Sequence, residues 1–158
     1  AIFLLLLLFN FFKTMEDLHF NFSIPIQIRM SDLDPFNHVN NGVQCSYFDI
    51  GRSAYIEKIL NEKIDWLQID LVLAHISIDF IAPINYGDTI ECACKVVQIG
   101  NKSFKMIQYL IEKNQQIVKT KSESVIVGLD RDKLIAIPIQ DHYREKLKIF
   151  ENQYDKHN

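Results

Sequence analysis

The stretch Ser31-Asp32-Leu33-Asp34-Pro35-Phe36-Asn37-His38-Val39-Asn40-Asn41 divides an alternating segment from a helical one. On its N-terminal side Ile24, Ile26, Ile28 and Met30 alternate with Pro25, Gln27, Arg29 and Ser31. That period of two predicts a half-buried strand over 24–31. On its C-terminal side Val43, Tyr47, Ile50 and Ala54 recur at helical spacing, flanked by Phe48, Tyr55 and Ile59. Apolar residues over so much of the circumference predict a helix buried on several sides. Asn40 can cap its start, because its side-chain oxygen can accept a free backbone N–H, and Asn61 is a natural stop.

Beyond Asp70 the period returns to two. Ile76, Ile78 and Phe80 alternate with His75, Ser77 and Asp79, then Pro83 and Asn85-Tyr86-Gly87-Asp88 form a turn. Strands follow over Ile90–Ile99, Ser103–Glu112 and Ile117–Leu129, broken at Gly100-Asn101 and Asn114-Gln115. Strands joined by such short turns are expected to be antiparallel neighbours, giving four in succession. Pro138 and Asp141 introduce a last short helix with Tyr143, Leu147 and Phe150 on one face. One sheet and one mostly buried helix predict an α+β layer architecture, a curved antiparallel sheet wrapped around a long central helix. Such a sheet leaves its edges open, and assembly into a homodimer or homotetramer is the expected way to cover them.

The chain has 158 residues, 48% hydrophobic and 23% charged, which suits one folded domain. Residues 1–14, almost wholly apolar up to Phe12, read as an N-terminal extension of uncertain origin before Met15, and 15–158 as a single domain. The apolar run is too short for an ordinary membrane span and lacks the basic start and cleavage site of a signal peptide. A net charge of −3 without a long basic run gives no reason to expect a nucleic-acid partner. Three cysteines, Cys45, Cys92 and Cys94, form no C-x-x-C pair, which fits a reduced, cytoplasmic setting. Cys92 and Cys94 fall on one face of a strand, where they read as small buried side chains.

The residues with chemistry gather in 32–41. As a bare pattern they are a polar loop with a helix cap. They are also the minimum equipment for acyl transfer. A helix start offers free N–H groups and partial positive charge for a developing oxyanion, and a carboxylate one loop earlier can serve as nucleophile or base. Both readings stand at this level. The five histidines show no metal-ligand spacing, so no metal site is expected. No G-x-S-x-G elbow, G-x-G-x-x-G or P-loop occurs. His75 reads as a structural or surface residue and Asp32 as a support for the loop. Lys102, Lys105, Arg131 and Lys133 read as solvated charge, although each could approach a phosphate.

The segment Ile28–Asn41 resembles the active-site motif of the 4-hydroxybenzoyl-CoA thioesterase-like hotdog family: strand, D-x-D, two residues, G-H-V-N-N, helix. Tyr47-Phe48-Asp49-Ile50-Gly51-Arg52 is similar to the family's aromatic helix ending in Arg. Asp79–Pro83 with Gly87–Ile90 resembles its strand, proline and Gly-Asp turn, and Ile137-Pro138 its close before the last helix. The likeness covers nearly all of 22–150. It implies a hotdog fold and hydrolysis of an acyl-CoA thioester to a carboxylic acid and free coenzyme A, with no cofactor beyond the coenzyme A of the substrate. It assigns catalysis to Asp34, carbonyl polarisation to the backbone N–H of Asn41 and a supporting part to His38. Pro35, Asn37 and Asn40 fall at substrate-binding positions. Asn37 stands where the family carries glycine; asparagine tolerates left-handed backbone, so the turn is expected to survive. An acyl-carrier-protein thioesterase, or an acyl-binding protein without catalysis, is compatible with the same likeness.

Overall fold

The computed structural model describes residues 19–152 apart from 66. The apolar stretch 1–14 and Met15 lie outside the described residues. The elements run β1 (Phe22–Ile26), a 3-10 turn (Met30–Asp32), α1 (Asn41–Leu60), β2 (Leu71–Phe80), β3 (Ile90–Ile99), β4 (Ser103–Glu112), β5 (Ile117–Asp130), β6 (Ile135–Ile137) and α2 (Asp141–Asn152).

Helix α1 begins and ends where its sequence says it should. The Gly42 N–H donates to Asn40 Oδ1 at 2.7 Å, and Asn61 closes the helix in the left-handed region at φ 58°. Its buried positions are Gln44, Tyr47, Phe48, Gly51, Arg52, Tyr55, Ile56, Ile59 and Leu60, a stripe at steps of three and four. This stripe lies on one face of a six-stranded antiparallel sheet. From the sheet come Ile90, Cys92, Cys94, Val96, Phe104, Met106, Leu110 and Ile126, which complete the core. The helix comes closest at Gly51. A Cβ there would sit 2.3 Å from Cys92 Sγ, so only glycine admits this approach. Cys92 and Cys94 are buried free thiols on the helix-facing side, as the strand period predicts. Helix α2 covers one end of the core with Tyr143 and Leu147, and with Phe150 half-buried. Its Glu151 accepts hydrogen bonds from Tyr55 Oη and the Val96 N–H, at 2.5 and 2.8 Å.

The strand order is β1-β3-β4-β5-β2, with β6 paired to the end of β5. This corrects the expectation of four consecutive neighbours. Strand β2 pairs with β5, not with β3. The segment after β2 is not a hairpin turn. The Ile81 and Ala82 N–H groups still donate to the Lys119 carbonyl at 2.9 and 3.0 Å, prolonging the hold on β5. Pro83 then removes a donor, and the Ile84 carbonyl accepts from the Val39 N–H at 2.8 Å, which leads the chain away across the sheet. The first strand is also shorter than its alternation suggests. Ile28 packs against the core, but extended pairing with β3 stops at Ile26. The Asp32 N–H donates to the Arg29 carbonyl and Asp32 Oδ2 accepts from the Arg29 N–H, and this closed turn replaces the strand's last residues. Neither the turn nor the three-residue β6 has a sequence period long enough to announce it.

Beyond β2 the sheet has no further strand among the described residues. This ten-residue edge exposes Val72, Leu73 and Phe80, with Ile81 just past it.

Candidate active site

The loop before α1 is closed by backbone. The Asp34 N–H donates to the His38 carbonyl at 2.8 Å and the Asn37 N–H to the Asp34 carbonyl at 3.0 Å. Short bridges pair Leu33 with Val39 and His38 with Asn85. Reversing direction in so few residues needs a left-handed residue, and Asn37 supplies it at φ 63°. The asparagine that departs from the family's glycine thus adopts the backbone the turn requires.

The two carboxylates of the motif are used differently. Asp32 is 3% exposed. It accepts from Tyr47 Oη at 2.7 Å and the Arg29 N–H at 2.8 Å, with the Arg29 guanidinium 3.3 Å away. Burial alone would raise its pKa; the hydrogen bonds from Tyr47 and Arg29, with the Arg29 charge, outweigh that and hold it below the usual carboxylate value. Burial and the Asp32 carboxylate push the Tyr47 phenol far up, so it remains a donor. Asp32 is therefore an anchor that ties the loop to α1. Asp34 uses one oxygen only. Oδ1 accepts from the Phe36 and His38 N–H groups at 2.8 and 3.2 Å, while Oδ2 has no partner among the described residues.

Asp34, His38, Val39, Asn41, Gln44, Phe80, Ile81, Ala82 and Pro83 line one pocket of about 230 Å³. The cap by Asn40 is spent on Gly42, and the Asn41 N–H donates to none of the described residues. A residue with an uncommitted carboxylate oxygen and a helix-start residue with an uncommitted N–H thus line the same cavity. Of the residues singled out from sequence, Asp34, His38 and Asn41 come together there. Pro35, Asn37 and Asn40 do not line it: Pro35 is exposed in the turn, Asn37 makes the turn and Asn40 caps the helix. Gln44 and the Phe80–Pro83 wall were not anticipated. Gln44 had a signal, a polar residue within the buried stripe of α1. The wall had none, because its place depends on β2 lying beside β5. The basic residues noted earlier are engaged elsewhere: Lys105 with Glu123, Lys133 with Asp130, Arg131 with the Leu67 carbonyl and Lys102 with the Ala136 carbonyl. Among the described residues no group of three or more His, Cys, Asp or Glu side chains could hold a metal ion, and no helix is long and apolar enough to cross a membrane.

The sequence profile of the thioesterase superfamily matches residues 36–118. The chain belongs to that superfamily and has its hotdog fold, a long helix laid against an antiparallel sheet. Among solved structures it is similar to a thioesterase from Thermus thermophilus determined with coenzyme A and zinc, at 28% identity and TM-score 0.75, over 84% of this chain and 96% of that one. A thioesterase from Bacillus stearothermophilus, described as predicted, is similar at 24% identity and TM-score 0.74, over 80% and 93%. The 1,4-dihydroxy-2-naphthoyl-CoA thioesterase Slr0204 of Synechocystis shares the fold at 15% identity and TM-score 0.71, over 80% and 94%. No curated protein sequence matches the chain. Asp34 lies two residues before the matched span, so its assignment rests on the motif and on its position in the pocket.

Proposed function

We propose that the chain hydrolyses acyl-CoA thioesters to a carboxylic acid and free coenzyme A at the pocket between the Asp34 loop and the Phe80–Pro83 wall. The observation that carries this reading is that Asp34, whose Oδ2 is uncommitted among the described residues, and Asn41, whose N–H is uncommitted among them, line that pocket together. The N–H, at the positive end of α1, stabilises the oxygen of the thioester carbonyl as it gains charge. Asp34 supplies the other half. As a base it takes a proton from water, whose oxygen forms the new C–O bond while the C–S bond breaks and the thiolate leaves. As a nucleophile it bonds through Oδ2 to the carbonyl carbon while the C–S bond breaks and the thiolate leaves, and water then opens the resulting acyl anhydride to the acid and the Asp34 carboxylate. The Phe36 and His38 N–H groups fix Oδ1, so Oδ2 keeps its orientation through either route. His38 shapes the wall beside it. The similar Thermus thermophilus thioesterase, solved with coenzyme A, supports the substrate class.

Assembly belongs to the same reading. The outer edge of β2 carries unpaired backbone groups and exposed Val72, Leu73 and Phe80, a surface suited to the β2 edge of a second copy. Antiparallel two-fold pairing would set the Phe80 end of one strand against the Leu71 end of the other.

The test is a panel of acyl-CoA and acyl-carrier-protein thioesters. Asp34→Asn is expected to lower kcat on the best substrate by about 10²–10⁴-fold, the size of a lost acid–base group, with the fold intact. Unchanged turnover in that variant removes Asp34 from catalysis. Hydrolysis of acyl-carrier substrates alone moves the activity to that class, and binding without hydrolysis makes the protein an acyl carrier. Single turnover in H₂¹⁸O separates the routes, because only the anhydride route can put label into the Asp34 carboxylate.

A further inference from the structure

Gln44 is only 3% exposed, yet it stands in the first full turn of α1 and lines the pocket. A buried amide is costly unless both its ends are bonded. Here both are. Nε2 donates to the Val39 carbonyl at 3.2 Å, and Oε1 accepts from the fully buried Thr120 hydroxyl on β5. Each partner belongs to a different wall. Val39 ends the Asp34 loop. Thr120 pairs with Phe80 in the sheet, and its neighbour Lys119 holds the Ile81 and Ala82 N–H groups on its carbonyl. The Lys119 ammonium also donates to the Pro83 carbonyl at 3.1 Å and meets Asp88 at 3.3 Å. One side chain therefore joins the loop that carries Asp34, the helix start that presents the Asn41 N–H and the strand from which the opposite wall hangs. A methionine would fill the same space and form helix as well, without fixing that spacing.

We infer that Gln44 is a positioning residue, whose amide, clamped between the Val39 carbonyl and the Thr120 hydroxyl, sets the separation of Asp34 and the Asn41 N–H from the Phe80–Pro83 wall. This rests on the proposed thioesterase reading for its catalytic consequence, but not for its geometric one. Displacement of reacting groups by about 1 Å costs about 10²-fold in rate, so the clamp acts on kcat and little on KM.

Thr120 gives the discriminating pair of variants. Thr120→Val keeps the shape and loses the hydroxyl; Thr120→Ser keeps the hydroxyl and leaves a small void. A clamp predicts kcat about 10²-fold down in Thr120→Val and in Gln44→Met, near wild type in Thr120→Ser, and the double variant Gln44→Met/Thr120→Val no slower than the slower single. If Thr120 only fills space, Thr120→Ser is the worse of its two variants, and that order overturns the proposal, as does wild-type kcat in Gln44→Met. Amide hydrogen exchange on the same proteins does not depend on activity. The clamp predicts faster exchange in both the 34–44 and 80–85 segments of Thr120→Val and in neither for Thr120→Ser. Unchanged exchange in Thr120→Val overturns the clamp. A wild-type protein that hydrolyses no thioester overturns the enzymatic reading, and the exchange result still decides the clamp.

Discussion

Asp32 and Asp34 are two residues apart in one loop, and their surroundings give them opposite work. Asp32 is sealed against Tyr47 and Arg29 with its charge fully paired. Asp34 is held by one oxygen and leaves the other free in a pocket. A paired, buried carboxylate adds stability but has no lone pair to offer a substrate. A half-satisfied one has the reverse balance. Each accepts two hydrogen bonds, so the difference teaches that burial and the engagement of the second oxygen, here by the Arg29 ion pair, separate the anchor from the proposed reactive group.

The sharpest way to break this contrast is to swap the readouts. Asp34→Asn is expected to lose most of the proposed activity with an unchanged melting temperature, whereas Asp32→Ala is expected to lose about 2–3 kcal/mol of stability through its charge-assisted bonds. Paired thermal melts and kinetics on the two variants check this; a large fall in stability for Asp34→Asn would erase the distinction. Tyr47→Phe removes one donor to the buried charge and is expected to cost about 1.5–3 kcal/mol, measured by urea unfolding.

Acid sharpens the same point. The folded pKa of Asp32 lies below its ordinary value of 3.8. The unfolded chain therefore binds the proton first, and the stability Asp32 contributes is complete above that value and is lost as pH falls through the lower, folded one. The slope of unfolding free energy against pH below about 4 is expected to be shallower in Asp32→Asn, and equal slopes would mean the pairing carries no linkage. The smallest effect lies in the turn between the two roles. Asn37→Gly is expected to be within a few tenths of a kcal/mol of wild type, and Asn37→Ala to cost about 1 kcal/mol at its left-handed position, both read from denaturant midpoints.

The limits of α1, the strands β3 to β5 and the face of α2 could all be read from residue spacing, because each buries one face over enough residues to establish a period. The position of β2 could not. Its alternation is the same whether it pairs with β3 or β5, and the pairing chosen is a ladder from Leu71–Gly128 to Phe80–Thr120, prolonged by bonds from Ile81 and Ala82 to a carbonyl nearly forty positions away. The site divides in the same manner. Asp34, Asn41 and His38 are neighbours in sequence, so the motif alone groups them as candidates, and they line one pocket. The Phe80–Pro83 wall and the bond from Thr120 to Gln44 exist only after the sheet is assembled. Asn40 was legible as a cap, and its capping bond leaves its side chain little freedom for a ligand.

The thiols of the core have a practical consequence for labelling chemistry. Cys92 and Cys94 are buried beneath Gly51, with the contact with Cys94 first and burial second pushing the Cys92 thiol up, whereas Cys45 is only half-buried and its sulfur leans on the Asn41 carbonyl at 3.6 Å. Toward an alkylating reagent the folded protein therefore behaves as if it had one thiol, one helical turn from the pocket. The native chain carries its own attachment point for a fluorophore or spin label that reports on what enters.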